Sequence, residues 1–356
     1  MSTSASDPGF AYARSSRRRG GLRIDTVLLA LVLAVLLLGL IMVTSASISI
    51  ADRESGHSFY YLNRQLLLTL VGGAAGAILL TLRTDFIERL SMPLLVSAYV
   101  MLLLVLVPGL GHVVNGSRRW LDVGGLNFQA SELARVFILI YVASYAVRRE
   151  EELRGSFMGL AKPLGLLACA CVLLLAEPDF GAASVLFATG FGLLFLAGAR
   201  LRYVIAMTVL ASGGFGLLAV TSAYRLRRLT GFLHPWADPF NSGFQLTQSL
   251  IAIGRGGWLG VGLGDSVQKL FYLPEAHTDF LFAVLSEELG LVGAIATLAL
   301  FLALVWRSLR IARNAADAGL KFPAYLAAGF GLWVGIQAFI NIGVNMGVLP
   351  TKGLTL

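Results

Sequence analysis

Long apolar runs recur along this chain, at about 25–48, 62–82, 90–108, 130–147, 161–177, 181–199, 202–223, 281–306 and 323–346. A helix needs about 20 apolar residues to cross the hydrocarbon core of a bilayer. Lipid offers nothing to hydrogen-bond a peptide group, so each run must close its backbone hydrogen bonds internally. The expected fold is therefore all-α, a polytopic transmembrane helical bundle with nine spans. Composition agrees: 57% of residues are hydrophobic and 13% charged, where a soluble domain carries roughly a quarter charged residues.

The remaining stretches divide the chain. Residues 1–23 are polar, with a basic cluster at Arg14, Arg17, Arg18, Arg19 and Arg23, and read as a disordered basic tail. Residues 24–356 read as one membrane domain, interrupted by a large loop at 224–280 before the eighth span. The first apolar run lacks a small-residue cleavage site, so it is expected to be a retained span and not a signal peptide. Lys and Arg concentrate in the tail and the even-numbered loops, which places the N-terminus in the cytoplasm and every odd-numbered loop outside. The net charge of +8 is thus an orientation signal and no nucleic-acid footprint. Cys169 and Cys171 lie inside an apolar run, two residues apart, and are expected to be small buried hydrophobes.

On that orientation four polar clusters share the outer side: Gly116–Asp122, Glu177–Gly181, Arg225–Asp279 and Pro350–Lys352. The last part of the large loop, Tyr272-Leu273-Pro274-Glu275-Ala276-His277-Thr278-Asp279-Phe280, carries three titratable side chains within five residues. Thr278 and Asp279 are helix-capping types ahead of an apolar run, so Asp279 is expected at a helix mouth near its backbone amides. A lone Asp there is more often a cap than a chemical group, and its company decides. Arg118 and Arg119 offer cationic forks suited to phosphate oxygens, with the interfacial aromatic Trp120 beside them. Glu177 and Asp179 flank Pro178 between two spans. Lys352 follows Pro350 after the last span. Glu132 and Arg135 stand one turn apart and are expected to pair. Within the loop, Gly243–Ile253 has helical spacing and reads as a short interfacial helix. The Gly-rich stretch 254–264 is neither a dinucleotide fingerprint nor a phosphate loop; its glycines are expected to permit tight turns packed on the bundle, with a backbone nest for phosphate as the weaker alternative.

Together these clusters describe an outer cavity of mixed charge, fit for an anionic lipid headgroup bearing hydroxyls. The ordered motifs Gly-Ser-Arg-Arg-Trp-Leu at 116–121, Gln-Ala-Ser-Glu at 129–132, Glu-Pro-Asp-Phe-Gly at 177–181, the 243–264 segment, 273–282 and the ending Pro-Thr-Lys-Gly-Leu-Thr-Leu resemble the SEDS family of shape, elongation, division and sporulation proteins. The ending and the long tail resemble its division branch more than its elongation branch. The resemblance covers nearly all of the chain after the tail. It implies ten spans; this sequence ends at Leu356, so the last family helix is expected to be missing from it.

The resemblance further implies a peptidoglycan glycosyltransferase of the bacterial cytoplasmic membrane, at the division septum, that polymerises lipid II into a nascent glycan strand. Its implied partners are a class B penicillin-binding protein (the division transpeptidase FtsI) and other divisome membrane proteins. Asp279 matches the family's essential aspartate and is expected to be the catalytic base, with Arg118, Arg119, Trp120, Glu177, Asp179, Glu275, His277 and Lys352 binding substrate. No cofactor is required by this reading; a divalent cation, Mg²⁺ or Mn²⁺, could assist beside Asp279 or Glu275, although no dedicated cage is visible. Two rivals stand: a lipid II flippase, which a charged cavity between broken helices could also serve, and a non-enzymatic divisome scaffold.

Overall fold

The computed structural model describes residues 24–114, 117–123, 126–220, 232–241 and 243–350. The tail, Lys352, and part of the large loop lie outside the described residues. In chain order the elements are α1 (Thr26–Ser55), α2 (Tyr60–Thr81), α3 (Thr84–Arg89), α4 (Ser91–Leu106), β1 (Gly111–Val114), β2 (Ser117–Val123), β3 (Leu126–Gln129), α5 (Ala130–Arg148), α6 (Glu150–Gly155), α7 (Phe157–Ala176), α8 (Phe180–Leu196), α9 (Leu201–Val220), α10 (Phe244–Gly256), α11 (Leu281–Asp317) and α12 (Lys321–Asn345).

A helix coincides with every apolar run. Six of them, α1, α2, α5, α7, α11 and α12, are long and apolar enough to cross a membrane, and α4 and α8 are shorter apolar helices. Their outward faces are apolar too: α2 buries no residue, and Leu67, Leu70, Ile78 and Leu80 stand exposed on it. That is the surface a helix shows to lipid.

The all-α expectation needs one correction. Between α4 and α5 the chain forms a three-stranded antiparallel sheet in the order β1-β2-β3. Trp120 on β2 stands opposite His112 on β1 and Gln129 on β3. The dipeptides Asn115-Gly116 and Gly124-Gly125 fall between the strands in the sequence, and both are strong two-residue hairpin signals. Short strands without long apolar alternation are easily passed over beside transmembrane runs.

Two buried clusters hold the helices. The larger joins α4, α5, α7, α8 and α12 through residues such as Leu102, Ile138, Leu167, Leu193 and Ala328. The second joins α1, α10, the segment before α11, α11 and α12 through Met42, Ala46, Ala252, Leu273, Ala276, Phe280 and Val344. Of the two cysteines Cys171 is buried as expected, but Cys169 is exposed, being on the other face of α7.

The expected helix in the large loop is present as α10. It is packed into the bundle, since Leu246, Thr247, Ser249 and Ala252 are buried and Ser249 donates to the Asn345 carbonyl at 2.8 Å. The glycines that follow do more than turn. α11 breaks at Gly290 (φ 66, ψ −165), and the loop repairs the break. The carbonyls of Glu287 and Glu288 accept from Val261 N (3.0 Å) and Gly262 N (3.1 Å), while Leu291 N and Val292 N donate to the carbonyls of Gly257 (2.9 Å) and Trp258 (3.2 Å). In an unbroken helix those groups would bond each other, i to i+4. Close approach is possible because both sides are glycine: a Cβ on Gly260 would sit 2.1 Å from the Glu288 carbonyl oxygen, and one on Gly290 2.3 Å from the Gly260 nitrogen.

α1 and α11 are also tied at two levels. Asp25 caps α1 and pairs with Arg307 (2.6 Å), and Ser45 donates to Glu288 (2.7 Å). At 1.5 Å per residue these ties lie roughly 30 Å apart along α1, about one hydrocarbon thickness.

Gly290→Ala forces a Cβ into backbone and a residue with a side chain into the left-handed region. The expected loss is at least about 2 kcal/mol, seen as a lower unfolding temperature in detergent; an unchanged melt would show that the exchange of hydrogen bonds does not depend on close packing.

Candidate active site

The segment before α11 is wound tightly around Glu275. Glu275 has a left-handed backbone (φ 57); its carbonyl accepts from Phe280 N at 3.1 Å, and its carboxylate accepts from the Thr278 hydroxyl at 2.6 Å. Asp279 does not cap α11 as the sequence suggests. The helix begins at Leu281 without a side-chain cap on Phe280, and the Asn345 side-chain carbonyl takes the amide of Ala283 (3.1 Å). The amides of Asn341 and Asn345 each donate to the backbone carbonyl of Asp279 at 3.0 Å. α12 thus clamps the main chain of Asp279 and leaves its carboxylate unspent on capping.

The environment of that carboxylate is built by three other elements. Burial pushes the Asp279 carboxyl up to about 7, the negative charges of Glu275 and Asp179 add to this, and the Arg119 guanidinium opposes it. Arg119, on β2, reaches the elbow between α7 and α8, where its Nε donates to the Glu177 carbonyl (3.3 Å) and its Nη2 to the Pro178 carbonyl (2.5 Å). Two of its five N–H groups are thereby used to fix the plane of the fork. Among the described residues it makes no ion pair. Its charge is held in place without being neutralised.

Asp179 caps α8 through Ala182 N (2.9 Å) and accepts from the Gln129 amide at the end of β3 (3.2 Å). Glu177 is fully buried, and neither carboxyl oxygen has a hydrogen-bond partner among the described residues. Burial, with Asp179 adding and Arg119 opposing, pushes it up to about 8, so it holds a proton at neutral pH. His277 packs its ring 5.0 Å from Tyr61, whose hydroxyl donates to Glu54 at 2.6 Å. Burial lowers the His277 pKa against the pull of Glu275 and Glu54, which keeps the imidazole neutral.

The structure therefore brings together Arg119, Glu177, Asp179, Glu275 and Asp279, with His277 on the flank toward α1 and α2. Trp120 is half-buried on β2 beside Arg119. Arg118 stands opposite Val113 in the sheet, with its side chain outside the described residues, as is the whole of Lys352. Glu132 and Arg135 pair as expected; Arg135 is buried, stacks over Trp333 (5.2 Å) and donates to Gln337, so it braces α5 against α12. Among the described residues no three His, Cys, Asp or Glu side chains are grouped to hold a metal ion.

Sequence reading gave Gln129 only as part of a motif and missed Asn341, Asn345 and the acidic pair Glu287-Glu288. The signals were present: Asn341 and Asn345 are spaced one helical turn apart in an apolar run, and two adjacent glutamates inside a transmembrane segment need partners. The partners themselves lie far away in sequence.

Glu177→Gln tests the buried acid. Between its ordinary value of 4.5 and about 8 the unfolded chain has released the proton while the folded chain retains it, so stability falls as pH rises. Gln has no proton to lose. Its unfolding temperature should equal the wild type's near pH 4.5 and exceed it increasingly up to pH 8.

The geometry so far defines a class: a helical membrane bundle with an acid–base group beside a fixed cation at one end. The sequence model of the cell cycle protein family FtsW/RodA/SpoVE matches residues 25–356, and the chain belongs to that family. It is 55% identical over 332 residues to a probable peptidoglycan glycosyltransferase FtsW of Nitrosococcus halophilus, covering 93% of this chain and 86% of that one. It is 56% identical over 334 residues to the protein of the same name from Thioalkalivibrio sulfidiphilus, covering 94% and 84%. Among solved structures it resembles a chain from a study of polymerization and crosslinking by a peptidoglycan synthase complex (TM-score 0.75, 28% identity, 93% and 90% covered). It also resembles the rod shape determining protein RodA of Thermus thermophilus (TM-score 0.66, 28% identity, 94% and 89% covered).

Proposed function

We propose that this chain is a peptidoglycan glycosyltransferase, an inverting enzyme that polymerises lipid II into glycan strands at the outer face of the cytoplasmic membrane. One observation carries the chemistry: Asp279 is clamped through its main chain, spared from capping, and has a carboxyl poised near neutrality. General bases work best when their pKa lies near the working pH.

In this reading the Asp279 carboxylate accepts the proton of the acceptor sugar hydroxyl. The freed oxygen attacks the anomeric carbon of the lipid-linked donor from the opposite side. The bond from that carbon to the diphosphate oxygen breaks, and the diphosphate lipid leaves with the electron pair. Arg119, already fixed by two backbone carbonyls, stabilises the charge developing on the diphosphate; Arg118 and Lys352 are the further cations proposed for it. Trp120, Asp179, Glu275 and His277 shape the sugar and headgroup site, and neutral Glu177 keeps a negative charge away from the phosphates.

Nine spans, an N-terminus in the cytoplasm, residues 224–280 outside and a role at the septum complete the proposal, supported by Lys and Arg placement and by the relatives' names. A donor already activated on a lipid suits an outer site, because nucleotide sugars are cytoplasmic. The solved structure from a study of polymerization and crosslinking by a peptidoglycan synthase complex supports a partner that crosslinks the product, of the penicillin-binding class. The flippase reading is less favoured, because the charged groups gather at one end of the bundle.

Asp279→Asn should lower glycan synthesis by about 10²–10⁴-fold in a purified assay with lipid II and the partner; a full rate would remove Asp279 from this role. The wild-type rate should rise with pH through about 7. Glu275→Gln removes a neighbouring negative charge, which eases ionisation of Asp279 and should move that limb about one unit lower.

A further inference from the structure

The mechanism makes no use of an acidic pair buried in α11. Glu287 and Glu288 are adjacent on α11 and almost completely inaccessible, one turn from the break at Gly290. Isolated charges cannot persist there, and each glutamate is fully partnered. Glu287 accepts from the Ser266 hydroxyl (2.5 Å), from Val267 N (3.2 Å), from Gln268 N (3.4 Å) and from Arg255 of α10 (2.9 Å). Glu288 accepts from the Lys269 ammonium (2.7 Å) and from the Ser45 hydroxyl of α1 (2.7 and 2.8 Å). Lys269 also donates to Ser45 (3.0 Å) and is itself buried.

All but one of the loop's contacts here fall on four consecutive residues, 266–269, and that run leads directly to Asp279. Leu273 N bonds back to the Gln268 carbonyl (2.9 Å). Leu273, Ala276 and Phe280 are buried in one cluster with Met42 and Ala46, which flank Ser45 on α1. The chain from 266 to 280 is therefore tied at its start to α11 and α1, packed along its middle with α1, and clamped at Asp279 by α12. The two carboxylates face different elements: Glu287 binds the loop and α10, whereas Glu288 spans the loop and α1.

We infer that Ser45, Lys269 and Glu288 form a positioning unit that sets the catalytic segment 270–280 against α1, and so fixes where the Asp279 carboxylate stands relative to Arg119 and Asp179. This inference rests on the reading of Asp279 as the base. None of the three residues touches the reacting atoms. Their effect is on rate through geometry, since a base displaced by a fraction of an ångström loses its reach to the acceptor hydroxyl.

The test removes both charges together, because removing one orphans the other. The pair Lys269→Met with Glu288→Met keeps side-chain volume and leaves no unpaired charge. It should fold with an unfolding temperature at or above the wild type's, keep KM for lipid II within about threefold, and lose at least tenfold in kcat. The acid limb of its pH profile should move, since Asp279 no longer sits at the same distance from Arg119 and Asp179. The exchanged pair, Lys269→Glu with Glu288→Lys, should recover at least a third of the wild-type kcat. Should the methionine pair fail to fold, Ser45→Ala removes only the α1 hydroxyl and is expected to reduce kcat by about threefold or more.

A folded methionine pair with wild-type kcat and pH profile overturns the inference, as does an unaffected Ser45→Ala. Asp279→Asn separates the two readings. If it is inactive while the methionine pair is fully active, only the positioning unit fails; if it is fully active, the assignment of the base fails. Combining Asp279→Asn with the methionine pair should give no further loss beyond Asp279→Asn alone, whereas independent roles would multiply.

Discussion

Four backbone hydrogen bonds between the Gly-rich segment and the break in α11 hold the arrangement on which the site depends. A helix that stops and restarts inside a bilayer leaves carbonyls and amides without partners, and lipid cannot supply them. Residues 257–262 do so, with Gly256, Gly260 and Gly290 allowing the backbones to touch. The first turns of α11 are thereby freed to pack as a separate piece, with Glu287 and Glu288 turned toward the loop and not along the helix.

The site itself is assembled from pieces that each have an ordinary structural job. The sheet between α4 and α5 brings Arg119 onto the α7–α8 elbow, α8 is started by Asp179, and α12 offers two asparagines to the main chain of Asp279. The electrostatic outcome is uneven. Arg119 satisfies carbonyls, so its charge remains to act on a ligand, while two nearby carboxyls, Glu177 and Asp279, are pushed toward neutrality by burial. A cation that is fixed yet unneutralised beside a base near pH 7 is a pairing suited to proton removal coupled to departure of an anion.

Much of this was legible in the residues. Each apolar run coincides with a helix among the described residues, because a long apolar run in lipid must close its hydrogen bonds internally. Asp279, Glu177, Asp179 and Arg119 stood out because ionisable groups beside transmembrane runs are costly without a purpose. What escaped was of two kinds. The strands were hidden by their brevity, although the dipeptides Asn115-Gly116 and Gly124-Gly125 are hairpin signals in the sequence. The cap was misplaced because Asp279 has the right residue type at the right position, and only the tertiary approach of Asn345 decides which oxygen meets the Ala283 amide. The buried pairing of Glu288 with Lys269 and Ser45 spans 243 positions between its outer members, beyond any local pattern.

The exchange of hydrogen bonds at Gly290 also bears on how such chains can diverge. Residues 256–262 and 287–292 form a single backbone motif although some 25 positions separate them, so neither tolerates an inserted or deleted residue alone. A chimaera that takes one stretch from a homologue and leaves the other behind would join halves whose carbonyls and amides fall out of step. Recombination in this region should succeed only when both stretches are inherited as one block.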